Sequence, residues 1–353
     1  MIFSIDNLKN LNESKIEEDY NNRSIIVDED SSFFLESLNM ILEENKSDAI
    51  SMIISKKISS LAVANPSEAL SIIDAKLEKF VFNIEKLLKK FEATMNRLGS
   101  RTSLMKSYTL KDFTSTKSTI KYPNTLCNYT NIGIYNQYSS FETQLSDIYS
   151  ILIRNLEKFG KIKTSNDFDK LYSTISKDRD ISIGDEYRSN ILGKKYSIND
   201  DTNTNNNFYS ELKKYFTGDG DESEFKGREL TPKLISSYAK IFYSNYNLIA
   251  IKKECKEIIS AANEIRSNIK KIKLDSYISL ASNKQDWYSH SAKTTFDSIV
   301  NDALYRTQIL CNVYLRYIAA KMEAAVNSRY QDIKVLKYIL RHKDDEDKGG
   351  NKK

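Results

Sequence analysis

At 353 residues and a net charge of +5, the chain is long enough to bury a substantial core, as one large domain or as two to three smaller ones. Its 10 glycines and 3 prolines fall far below the roughly 12% that average usage supplies. Turns are therefore few and elements long, which argues against a sandwich, a barrel or a doubly wound α/β fold. The charge is unevenly spread. Residues 1–50 hold 12 Asp/Glu against 4 Lys/Arg, whereas 231–343 hold 19 Lys/Arg against 9 Asp/Glu. Such asymmetry allows the acidic end to lie along the basic helices of the same or a neighbouring molecule; solvated faces without a specific partner are the plainer account.

The expected fold is mainly α: a long-helix bundle with coiled-coil-like packing, interrupted by an irregular or small β segment at about 100–138 and by a flexible polar insertion. Residues 1–30 form an acidic arm, with Glu17-Glu18-Asp19 and Asp28-Glu29-Asp30 bracketing Ile25-Ile26-Val27. A helical region spans 31–176. Its first helices run through Phe34, Leu35, Leu38 and Ile41, then through Ile50, Ile53, Ile54, Ile58 and Leu61. Asn65-Pro66-Ser67-Glu68 then supplies an N-cap, a Pro at the first helical position and an early carboxylate. From there Leu70, Ile73, Leu77, Phe80, Ile84, Leu87, Phe91, Met95 and Leu98 recur in steps of three and four up to Gly99, a seam along about 50 Å of helix.

The period is lost over 100–138, where Ser, Thr and Tyr gather and partial alternation near Ile120, Tyr122, Leu126 and Tyr129 predicts a long loop with a small hairpin. Helix returns through Phe141, Leu145, Ile148, Leu152, Leu156 and Phe159 to Gly160, and again from about Asn166 to Ser176. Residues 177–230 are polar, including the run Asn199–Asn207, and read as an insertion or linker interrupted by a short helix at Phe208–Phe216.

Thr231-Pro232 opens the long-helix region, 231–342. Its seam passes Leu234 and Ile241 with polar gaps at Ser237 and Ser244. It then steps regularly through Leu248, Ile251, Cys255, Ile258, Ala262, Ile265, Ile269 and Ile272. A last helix from about Ala292 to His342 carries Ala319, Ala320, Ala324 and Ala325, small enough for close helix approach, and 343–353 is a charged tail expected to be disordered.

None of the glycines stands in phosphate-loop spacing, and Gly218-Asp219-Gly220 is the nearest approach to a dinucleotide fingerprint. The histidines are His290 and His342, too few for a zinc cluster. His290, beside Trp287 and Tyr288, reads as a helix-start or loop residue in preference to a general base. The acidic loop Asp219–Glu224 has Glu224 and Leu230 where a calcium loop needs Gly and Glu, so it reads as solvated. Glu254 and Glu257, set among lysines, read as surface ion pairs. No catalytic, cofactor-binding or metal residue is assigned, and no cofactor is expected. Cys127, Cys255 and Cys311 are odd in number and far apart, as reduced thiols are. There is no basic-then-apolar leader at Met1 and no apolar run of about 18 residues. A protein made in the cytoplasm without an integral membrane segment is expected.

Lys252, Lys253, Lys256, Arg266, Lys270, Lys271 and Lys273, with Tyr243, Tyr246 and Tyr277 nearby, make a candidate anion-contacting face that holds phosphates without reading sequence. The acidic arm leading into Ser32-Phe33-Phe34-Leu35-Glu36-Ser37-Leu38, the long basic helices and the Lys/Asn/Ile-rich composition together resemble virion structural and head-assembly proteins of large tailed bacteriophages. The resemblance implies a non-enzymatic structural or assembly protein, incorporated in a virion, whose partners are itself or other structural proteins. Two other classes fit the residues: a nucleic-acid-associated protein using the basic helices, and a membrane-active or host-directed helical effector.

Overall fold

A computed structural model describes residues 66–100, 108–122, 137–177, 182–193, 204–217, 228–281 and 286–342. The acidic arm, the two helices expected between Ser32 and Leu61, and the charged tail lie outside these residues. In chain order the elements are α1 (Pro66–Ser100), α2 (Leu110–Thr114), β1 (Ile120–Tyr122), α3 (Tyr138–Phe159), α4 (Ser165–Lys177), α5 (Ser182–Leu192), α6 (Thr204–Thr217), β2 (Arg228–Leu230), α7 (Pro232–Ser244), α8 (Tyr246–Ile269), α9 (Asp275–Ala281) and α10 (Asp286–His342). The protein is a mainly helical bundle with one two-stranded sheet among the described residues.

The axis of the bundle is α10, 57 residues long and so about 85 Å at 1.5 Å per residue. No Gly or Pro falls between Asp286 and His342, so nothing breaks the backbone ladder. From Ala292 to Ile339 this helix is buried on nearly every side. It packs on α1, α3, α4, α5, α6, α7, α8, α9 and β1. Small residues at Ala319, Ala320, Ala324 and Ala325, all buried, let these neighbours approach the axis.

The α1 stripe Leu70, Ile73, Leu77, Phe80, Ile84, Leu87, Phe91, Met95 and Leu98 is buried along its whole length. It lies against α10 and α8 of the same chain. Aromatic rings knit the layers together: Phe80 stacks on Phe141 at 5.3 Å, Phe141 meets Tyr314 edge-on at 5.0 Å, and Phe159 meets Phe296 at 5.4 Å. On α8, Ile251, Cys255, Ile258, Ala262, Ile265 and Ile269 are buried, while Leu248 and, just past the helix, Ile272 are partly buried against the core.

Two features depart from the sequence expectation. The periodic stretch from Thr231 is two helices, because Asn245 sits at φ 51 and ψ 31, in the left-handed region, and ends α7 before α8 begins. Asn tolerates that region better than most residues. The break shifts the phase by one residue: α7 buries Ile235, Ala239 and Phe242 in place of the expected Leu234 and Ile241. Second, β1 does not close a local hairpin. It pairs antiparallel with β2, Ile120 opposite Leu230 and Tyr122 opposite Arg228. The short helix expected at Phe208–Phe216 lies within α6, and the described parts of 177–230 contribute to the core. Helices α5 and α6 pack on α10 with Tyr187, Ile191, Leu192, Phe208, Leu212 and Phe216 buried. No helix among the described residues is long and apolar enough to cross a membrane.

Candidate functional site

The seven basic residues singled out in the sequence fall on α8 and on the link that follows it. The antiparallel packing of α8 on α1 engages three of them with carboxylates of α1. Lys252 pairs with Glu92, Arg266 lies 2.8 Å from Asp74 and 3.2 Å from Glu78, and Lys270 lies 3.2 Å from Asp74. Burial works to raise the Asp74 pKa, but hydrogen bonds and charge from Arg266 and Lys270 outweigh it and hold the carboxyl below its ordinary value. The hydrogen bond to Asp74 raises the Arg266 pKa in turn. Lys253 reaches Glu257 within α8 at 4.0 Å, and Lys256 is exposed. Lys271 and Lys273 stand apart, at the end of α8, beside a cleft described below.

Glu254 is not a surface carboxylate. It is 3% exposed, and it accepts from the Lys321 ammonium of α10, from the Tyr317 hydroxyl at 2.9 Å and from the Gln137 backbone N–H at 2.6 Å. Lys321 is 1% exposed. Burial pulls its pKa down, and the adjoining Glu254 charge pulls the other way. The signal for this pair was present in the sequence. Ile251, Glu254, Ile258, Ala261 and Ile265 follow the three-four rule on α8, and Lys321 sits with Arg316 and Glu323 in the otherwise apolar stretch from Val313 to Val326. Nothing local told either residue that its partner lay on another helix.

Three more charged groups line the axis. Glu323 accepts from the Tyr209 hydroxyl at 2.5 Å and pairs with Lys213 at 2.7 Å, tying α6 to α10. Arg306 donates to Asp302 at 2.8 Å. Arg329 donates to the Phe242 carbonyl at 3.1 Å with its guanidinium 4.7 Å from the Phe242 ring centre, tying α7 to α10. Burial pushes the nearby Asp332 carboxyl up to about 8, with Arg329 pulling it partway back. Cys255 and Cys311 are buried, which raises both thiols above their ordinary pKa and keeps them protonated and inert. Cys127 lies outside the described residues, as does the acidic loop at Asp219–Glu224. His290 is exposed near the start of α10.

Two outer features remain. The first is a stripe on α7 and α8, where Ile241, Tyr246 and Ile249 are 41%, 43% and 62% exposed. Lys233, Lys240, Lys253 and Lys256 are exposed on the same two helices. Between Pro232 and Lys256 the one carboxylate is the buried Glu254, so the exposed charged residues there are cationic; Glu257, one residue further on, is partly buried and pairs with Lys253. The second is a shallow cleft of about 440 Å³ where α3 meets the link between α8 and α9, lined by Tyr149, Ile153, Leu156, Lys271, Ile272, Lys273 and Tyr277. The sequence reading missed both, because exposure of an apolar side chain depends on which face the tertiary packing leaves over.

Comparison with protein-family models, with curated proteins and with solved structures found no match.

Proposed function

We propose that the chain is a non-enzymatic structural or assembly protein, a virion component of the kind its composition and layout resemble. It acts by packing the outer faces of its helices against copies of itself or other structural proteins. The observation that carries this reading is the Ile241–Tyr246–Ile249 stripe. Both apolar seams find their neighbours inside the same chain, on α1, α8 and α10, so the seams are not the surface that recruits a partner. Among the apolar side chains left exposed are Ile241, Tyr246 and Ile249, with Phe82 on α1 a further one, and exposed apolar surface ringed by polar groups marks interaction sites.

Size exclusion with light scattering on the full chain tests it. The expected outcome is a mass above that of one chain that rises with concentration, and that returns to one chain in the Ile249→Asp variant. A single-chain mass for the unaltered protein at every concentration overturns self-assembly. A second reading draws on the lysines of the same stripe, which suit phosphate groups. A DNA-binding titration separates the two: affinity that falls steeply with added salt supports a nucleic-acid-associated protein, and no affinity at low salt removes it.

A further inference from the structure

The cleft between α3 and the α8–α9 link borders the core and lies apart from the interaction stripe. Tyr149, Ile153 and Leu156 follow one another in steps of four and three along one face of α3, and together with Ile272 they present an apolar floor. Tyr277 closes one side. It lies against the end of α3 because residue 160 is glycine: a Cβ there would stand 3.3 Å from the Tyr277 ring, tighter than comfortable packing allows. Lys271 and Lys273 supply the cationic rim from the α8–α9 link. Lys271 is held near it by a 3.4 Å contact to the Asn268 side chain. Four other members of the original basic set are paired with carboxylates, whereas these two border a cavity.

We propose that this cleft binds a small organic anion, a carboxylate or phosphate ester carried on an aliphatic or aromatic body. The body lies on Tyr149, Ile153, Leu156 and Tyr277, and the anionic head meets Lys271 and Lys273. The volume, about 440 Å³, falls within the range of roughly 300–1,000 Å³ that holds small ligands. A bare inorganic anion leaves the floor unused, and a neutral hydrocarbon makes no contact with the two ammonium groups. Only the combination satisfies both parts of the lining.

The test is a fluorescence titration of the full chain with anilinonaphthalene sulfonate, an aromatic sulfonate of the required chemistry, followed by competition with decanoate and, separately, with AMP. One saturable site is expected. Displacement by decanoate assigns the aliphatic carboxylate, and displacement by AMP assigns the aromatic phosphate ester. The paired change Lys271→Ala, Lys273→Ala weakens probe binding about tenfold, as loss of charge-assisted contacts does, and Lys271→Arg with Lys273→Arg retains it. Both lysines are exposed, so these variants keep the fold, which circular dichroism checks. Ile249→Asp, on the distant stripe, leaves the titration unchanged. Unaltered probe affinity in the folded double-alanine variant, or failure of both competitors to displace the probe, overturns the proposal.

Discussion

Glu254 and Lys321 show what a buried pair contributes and what it costs. Each charge is withdrawn from water, and their attraction together with the bonds from Tyr317 and Gln137 offsets that loss. The pair's value is therefore asymmetric. Removing one partner strands the other, and Lys321→Met is expected to destabilise the fold by about 3–5 kcal/mol in urea unfolding. Adding Glu254→Gln recovers much of this, because the amide oxygen still accepts from Gln137 and Tyr317 while no charge is left buried. A double variant no more stable than Lys321→Met alone would show that the charges are not what matters. This pair was also the plainest misreading at the level of single residues. Glu254 has lysines on either side, and its true partner is 67 positions away, a separation that no local spacing rule reaches.

Asp332 gives a second test at the same scale. Burial sets its folded pKa at about 8, above the ordinary value of about 3.9 that it has in the unfolded chain. The folded state holds the proton more tightly, so this group's contribution is full below about pH 4 and is lost as pH rises through 8. Thermal unfolding is expected to move to lower temperature between pH 5 and pH 9. Asp332→Asn flattens that slope, leaving the variant more stable than the parent at pH 9. A parent slope that the variant reproduces would assign the pH dependence to other groups.

At the scale of elements, the helices with one apolar stripe were legible and the others were not. In α1 a buried face and a charged face oppose each other from Leu70 to Leu98, and the three-four spacing reports that geometry directly. Leu87→Ala, at a fully buried position of that stripe, is expected to cost about 2–5 kcal/mol by urea denaturation. In α10 burial extends around the whole cylinder, and charged residues that pair across helices, such as Lys321 and Glu323, look in the sequence like a solvated side. The junction at Asn245 was hidden for a different reason. One residue in the left-handed region ends a helix without any Gly or Pro to announce it. Asn245→Gly is expected to be neutral or mildly stabilising, whereas Asn245→Val costs about 1–2 kcal/mol, read as a shift in the urea midpoint. Equal effects from both would mean that the backbone conformation there is not what the side chain supports.

For the whole molecule, the decisive fact is that α10 touches nearly every other element. Separate domains joined by a linker across 177–230 were one reading of the composition. The packing of α5 and α6 on the same axis as α1 and α3 ties both halves to one core. The β1–β2 pairing, with the Tyr338 hydroxyl bonded to the Lys121 carbonyl at 2.9 Å, adds a further bridge between distant parts of the chain. Such pairings were illegible beforehand because short strands carry almost no periodic signal. The candidate sites were less legible still, since a stripe and a cleft are defined by what neighbouring elements fail to cover.

The position of α10 in the chain also bears on how the protein is made. Every described helix that packs on it is synthesised earlier, so while residues 286–342 are still being translated α1, α3 and α8 have only one another to pack on, and the sides that α10 covers stay bare. Contacts between segments so far apart form slowly once the chain is released, and the interval before the last helix threads into place is when aggregation threatens and chaperones are most needed.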